Sequence, residues 1–308
     1  MLSNANPVPL AACLAVIATQ VTLRAVRWRL LLPPPRSGGS IKVRRIVPVL
    51  LVGYLGNAVL PARLGEPIRA YLVARREDLD AVEAFGSVVL ERVVDTATLA
   101  LLAFVAAVAA NAPGWIVQAT GAAALVVGGL TIALVTVGPR PIVGLARRLV
   151  VRGPFAARAE PVMLRLDLFA RGIDRPSRSS AIVVAAVVSA VCWLGDMTTF
   201  WLVASSIGAP LDPAAALLIA AVTVLGTALP SAPGYVGTFE LAASTTARAL
   251  GVSAAPALAL AVLAHALAVL PVAGAGAVAM IAMNARLGRL ATDAAGAERV
   301  TGLATTEQ

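Results

Sequence analysis

Arg63, Glu66 and Arg69 fall within residues 53–69, GYLGNAVLPARLGEPIR, where Asn57, Pro61, Gly65 and Pro67 also interrupt a strongly apolar stretch. Arginine presents a planar fork of donors that matches phosphate oxygens two at a time, and a nearby carboxylate can hold that fork in place. Pro and Gly break a helix and free backbone N–H and C=O groups, which survive at membrane depth only where protein or a water-filled cavity satisfies them. The run therefore reads as the lining of a site. Arg63 and Arg69 are its phosphate ligands, Asn57 a polar neighbour, and Glu66 the carboxylate that steadies one of the arginines. A plainer reading is that both arginines snorkel to the interface.

Two further clusters carry charge or backbone polarity into apolar sequence. Glu91, Arg92 and Asp95 sit well inside a long apolar segment, with Glu91 and Asp95 on one helical face and Arg92 three residues before Asp95. Each ion at the bilayer centre costs about 2.5–3.5 kcal/mol on insertion scales, so the three need partners. They either lock helices together as an ion pair or line a polar path in which Arg92 meets a phosphate. Residues 229–240, LPSAPGYVGTFE, combine Pro230 and Pro233 with Gly234 and Gly237 ahead of Glu240. Amides freed there, and the N-terminus of a helix resuming near Thr238, can face an anion. The alternative is a Pro/Gly loop between spans with Glu240 on its surface. Asp196 lies deep in another apolar segment beside Thr198 and Thr199, with Arg92 or Arg248 as its partner. His265, the one histidine, is a proton carrier or a neutral packing residue.

Membrane spans must position these groups. The chain has 308 residues, 59% hydrophobic and 13% charged, with mean hydropathy +0.87, which describes an integral membrane protein. The net charge of +9 comes almost wholly from arginines that flank apolar segments, as topology-setting loops do, so no nucleic-acid partner is expected. Cys13 and Cys192 lie in apolar segments without metal-ligand neighbours and read as small core residues. The first apolar stretch lacks a basic leader and a cleavage site, so it reads as a retained span.

Five segments reach bilayer length, about 7–29, 82–110, 115–138, 179–205 and 255–283. Two others, about 43–62 and 213–250, carry Pro and Gly in their middles. Residues 1–23 have no charge whereas Arg24, Arg27, Arg29, Arg36, Lys42, Arg44 and Arg45 follow, which places the N-terminus outside and the first loop in the cytoplasm. Segment 139–178, with nine arginines against Glu160, Asp167 and Asp174, is cytoplasmic and suits a helix lying on anionic lipid headgroups. The C-terminus is cytoplasmic as well. The expected fold is all-α, a polytopic transmembrane helix bundle. Two re-entrant, broken helix elements sit in halves 7–110 and 179–283, joined by span 115–138 and the basic segment. The halves form an inverted repeat, supported by the likeness of residues 55–61, LGNAVLP, to residues 225–230, LGTALP. Residues 1–284 form one domain and 285–308 a disordered tail. Paired broken helices in opposed halves point to a transporter site at their interface.

The chain resembles the membrane-embedded, flippase-like family that includes the transmembrane half of lysylphosphatidylglycerol synthase. The resemblance rests on Arg27 and Trp28, on 60–66, on Glu91 to Asp95 as E-R-x-x-D, and on 229–240, and it covers most of residues 7–284. It implies movement of a phospholipid or polyprenyl-phosphate lipid between leaflets of the plasma membrane, without a cofactor or metal. Two-part members carry an aminoacyl-transferase domain after the membrane region. This chain ends at residue 308, soon after its last span, so synthesis of a lysyl lipid is not expected. No GxSxG elbow, Walker loop or metal-ligand cluster is present. The runner-up function is a membrane glycolipid transferase, or an accessory subunit that presents a lipid-linked sugar to a partner glycosyltransferase or other lipid-modifying enzyme. A purely structural role is the third.

Overall fold

A computed structural model describes residues 6–151, 156–177, 180–209, 211–227 and 232–284. The expected tail 285–308, and Leu229 and Pro230 of the second break, lie outside the described residues. The described residues form helices without strands. Five helices are long and apolar enough to cross a membrane: α1 (Pro7–Leu31), α4 (Ala81–Ala109), α5 (Gly114–Val137), α8 (Ala181–Ser206) and α11 (Ala254–Ala282). Their starts follow local chemistry. Asn6 caps α1 by accepting from the Val8 amide, and Asp80 caps α4 by accepting from the Val82 and Glu83 amides.

Both interrupted stretches are helix–break–helix elements. In the first, α2 (Val43–Val59) ends at an extended Leu60, a 3₁₀ turn spans Pro61–Arg63, and α3 (Gly65–Glu77) resumes. α2 and α3 pack so closely that a Cβ on Gly65 would collide with the carbonyl oxygen of Gly53, while the Asn57 side chain accepts from the Gly65 amide at 3.0 Å. In the second, α9 (Pro213–Gly226) starts on an Asp212 cap, a 3₁₀ turn covers Pro233–Tyr235, and α10 (Thr238–Ala249) begins at the expected residue.

Each broken element sits in its own core. Trp28, Ile46, Leu50, Ile68 and Val73 pack α1, α2 and α3 together, with α4 adding Ala84 and Val88. Phe200, Val203, Ile219, Phe239 and Leu260 pack α8, α9, α10 and α11, and Cys13 of α1 joins them. Cys13 and Cys192 are free and buried, as expected of core residues. α5 buries only Ile116 and Thr120 and leaves Leu125, Leu130 and Ile132 exposed, a surface suited to lipid.

The basic segment forms α6 (Arg140–Val151) and α7 (Ala156–Ser177). α7 packs against α4, with Phe85 and Phe169 in ring contact at 6.1 Å and Met163, Ala170 and Ile173 buried. The sequence suggested a helix lying on headgroups. α7 instead joins the bundle, because its apolar side finds a protein neighbour. α6 keeps Ile142 and Leu145 exposed beside Arg148, and Arg140 reaches Asp174 of α7 at 2.5 Å.

Candidate headgroup cavity between the two breaks

The two broken elements meet. Arg63 donates from Nη2 to the carbonyl of Thr227 at 2.7 Å, and its guanidinium lies 5.5 Å from the centre of the Tyr235 ring. Gly234 backs onto the first break: a Cβ there would stand 3.2 Å from the Ala58 carbonyl oxygen, and its φ of 69° favours glycine. Arg63 and Tyr235 also hold positive φ, 55° and 63°. Such strain in non-glycine residues persists only where the surroundings over-determine it, and it clusters at functional sites.

Behind the breaks lies a buried lattice of ion pairs. Glu91 accepts from Arg27 and Arg69 at 2.7 Å each. Arg27 also binds Asp95 and donates to the Ser189 hydroxyl at 2.7 Å. Arg69 lies 4.6 Å from the centre of the Trp28 ring, Trp28 Nε1 donates to Ser87 Oγ at 3.3 Å, and Trp193 Nε1 donates to the Asp95 carbonyl at 3.3 Å. Arg69, Glu91 and Asp95 are thus locked into protein and stand outside the lining of the cavity between the breaks. Glu66 does not hold Arg63 or Arg69: it pairs with Arg92 at 2.7 Å, because α3 lays its first turn against α4. Arg92 also comes within 3.9 Å of Asp95 and keeps a third of its side chain exposed.

A cavity of about 240 Å³ opens in front of this lattice. Of the residues expected at the site, Asn57, Arg63, Arg92 and Asp196 line it. Arg24 joins them, and Gln20, Tyr54, Trp193 and Tyr235 are among the polar and aromatic residues of the wall. Asp196 pairs with Arg24 at 2.9 Å and accepts from Gln20 at 3.2 Å, not with Arg92 or Arg248, because α8 packs along α1. Arg24 also sits 5.7 Å from the Trp193 ring. The sequence offered Arg24 only as a topology signal. Its spacing from Arg27, one helical turn along α1, was the clue that both face the bundle.

The second break uses its polar groups differently. Pro233 opens the 3₁₀ turn, Gly237 precedes α10, and Glu240 accepts from the Gly237 amide at 2.8 Å, closing its own helix start. Glu240 therefore stands outside the cavity wall, as do Gly234 and Gly237. Its other oxygen lies 2.5 Å from His265 Nδ1, while His265 Nε2 lies 2.7 Å from the Gly234 carbonyl. A carbonyl only accepts, so the ring turns Nε2–H to Gly234 and Nδ1 to the Glu240 carboxylate. The ring stacks on Phe239 at 4.4 Å. His265 is thus a clamp between α11 and the second break. Among the described residues no three His, Cys, Asp or Glu side chains converge as a metal-ligand set.

Residues 1–276 match the family described as the lysylphosphatidylglycerol synthase TM region. The chain belongs to this family. As a member of the lysylphosphatidylglycerol synthase TM region family, it also resembles Glycosyltransferase AglD of Haloferax volcanii, at 31% identity over 324 residues covering 93% of this chain and 51% of that protein. The chain thus spans about half the length of the curated relative it matches. No solved structure matches.

Proposed function

We propose that this multi-pass membrane protein moves a phospholipid or polyprenyl-phosphate lipid between leaflets, with the headgroup passing through the cavity between the two breaks. The observation that carries this reading is the meeting of both breaks at one cavity walled by Arg24, Arg63 and Arg92. Arginine forks fit phosphate oxygens, and a hydrated, charged groove lowers the barrier to a polar headgroup without covalent chemistry. The acyl or prenyl chains stay in lipid. The broken elements act as re-entrant hairpins of opposite sense in an inverted repeat, with the N-terminus outside, the C-terminus in the cytoplasm and the plasma membrane as the site. α6 adds contact with anionic headgroups.

Purified protein in liposomes tests this reading. Labelled phospholipid and polyprenyl-phosphate lipids are expected to equilibrate between leaflets faster than in empty liposomes, and Arg92→Ala, at the cavity wall, is expected to remove most of the gain. No movement of any lipid by folded protein would reject it.

The name of the curated relative favours a second reading, a glycolipid transferase or a subunit that presents a lipid-linked sugar to a glycosyltransferase. A bound nucleotide sugar, or turnover in detergent, would favour this alternative.

A further inference from the structure

Five arginines, Arg24, Arg27, Arg63, Arg69 and Arg92, gather where the breaks meet, against four carboxylates, Glu66, Glu91, Asp95 and Asp196. Each carboxylate is committed to an arginine: Asp196 to Arg24, Glu66 to Arg92, Glu91 to Arg27 and Arg69, and Asp95 to Arg27 with Arg92 nearby. Arg63 differs. Among the described residues no carboxylate pairs with it, and its contacts are the neutral Thr227 carbonyl and the face of Tyr235. Glu240 and His265 stand outside the cavity wall, bonded to each other and to the backbone of the second break. Residues 228–231, Ala-Leu-Pro-Ser, contain no ionisable side chain. Among the groups of the cavity and the lattice behind it the arginines thus exceed the carboxylates by one, and the arginine without a carboxylate partner is Arg63 on the cavity wall.

Resting on the transport reading above, we infer that the cavity selects a lipid phosphodiester of single negative charge whose headgroup is otherwise uncharged. In a poorly polarisable setting, charge of either sign left unmatched is costly. A zwitterionic lipid leaves Arg63 uncompensated, a doubly charged phosphomonoester brings one charge too many, and a headgroup carrying an added ammonium increases the surplus. Only the phosphodiester monoanion closes the sum at zero. The remaining wall suits a hydroxylated headgroup, glycerol or sugar: Tyr54, Trp193 and Tyr235 offer ring faces, and Gln20 and Asn57 offer amides. The volume lies below the ~300–1,000 Å³ of pockets that enclose whole drug-sized ligands, so it fits a headgroup and excludes the chains.

The test uses the full chain with four labelled probes: phosphatidylglycerol, a polyprenyl phosphosugar, phosphatidylcholine and phosphatidic acid, whose phosphomonoester loses its second proton near neutral pH. Leaflet exchange is followed in liposomes, and binding of short-chain analogues is followed in detergent. At least one of the two monoanionic phosphodiesters is expected to exchange and bind at least about tenfold better than the zwitterion or phosphomonoester, 1.4 kcal/mol, and the better of the two tells glycerol from sugar. Arg63→Lys keeps the charge and is expected to keep the order of preference, whereas Arg63→Gln erases it. Asp196→Asn adds a positive charge and shifts preference towards phosphatidic acid. Equal exchange of all probes, or a preference that survives Arg63→Gln, overturns the inference and leaves transport standing. Monoanion-selective binding without exchange upholds the charge selection and overturns transport. Should Arg63→Gln not fold, Arg63→Lys and Asp196→Asn decide the matter by the same order of preference.

Discussion

Arg69 and Arg92 belong to one charged group yet differ in what their loss would do. Arg69 shares Glu91 with Arg27 in a setting where these side chains are only 2–3% exposed. Removing one member of a buried ion pair strands the others, at a cost of about 3–5 kcal/mol. Glu91→Ala is therefore expected to lower the unfolding midpoint in detergent sharply, since it leaves buried Arg69 without a carboxylate and Arg27 with Asp95 alone. Arg92 is a third exposed and faces the cavity, so Arg92→Ala is expected to fold and yet to lose lipid exchange by at least about tenfold. An Arg92→Ala protein that exchanges lipid at the normal rate would count heavily against the proposed path. His265→Ala leaves Glu240 and the Gly234 carbonyl without their shared partner. The expected loss is about 1–3 kcal/mol, read as a lower unfolding midpoint that His265→Gln only partly restores.

The two helix–break–helix elements turn Pro and Gly into architecture. α2 and α3 lie against each other because Gly65 has no side chain to strike the Gly53 carbonyl, and Asn57 then caps the restart of α3. Gly65→Val is expected to push the two helices apart, displace Arg63 and yield little folded protein, measured as the monodisperse fraction on size exclusion. At Gly234 the tolerance is different. A methyl group would stand a tight 3.2 Å from the Ala58 carbonyl oxygen, which must give by a few tenths of an ångström, and the positive φ disfavours it by roughly 1–2 kcal/mol more, so Gly234→Ala is expected to fold with reduced stability. The breaks themselves could be read in the residues, because Pro61, Pro233, Gly65 and Gly237 carry their backbone consequences locally. Their partners could not. Asp196 with Arg24, Glu66 with Arg92 and Glu240 with His265 each join different helices, and nothing in one helix specifies the neighbour it will face.

At the scale of the molecule, the five long apolar helices lie within two residues of the segments expected from a bilayer-length window. The proposed orientation is open to direct test. With Cys13 and Cys192 replaced by Ala, single cysteines at the exposed positions Arg148 and Asn111 are expected to react with a membrane-impermeant maleimide from opposite faces, Arg148→Cys from the cytoplasmic side. Labelling of both from one face would reject the orientation. The sequence by itself determined the class, the spans and the places where helices break, since bilayer thickness and backbone hydrogen bonding act on each segment alone. Only the tertiary structure decided which charges are sealed and which face the cavity. α1 is apolar over most of its length and gives little periodic signal of its inward face, and nothing within α3 names the carboxylate that Arg69 will meet, so in the chain alone Arg24 reads as a topology marker and Arg69 as a ligand. Packing of α1 along α8 exposes the first to the cavity, and packing of α3 against α4 buries the second with Glu91.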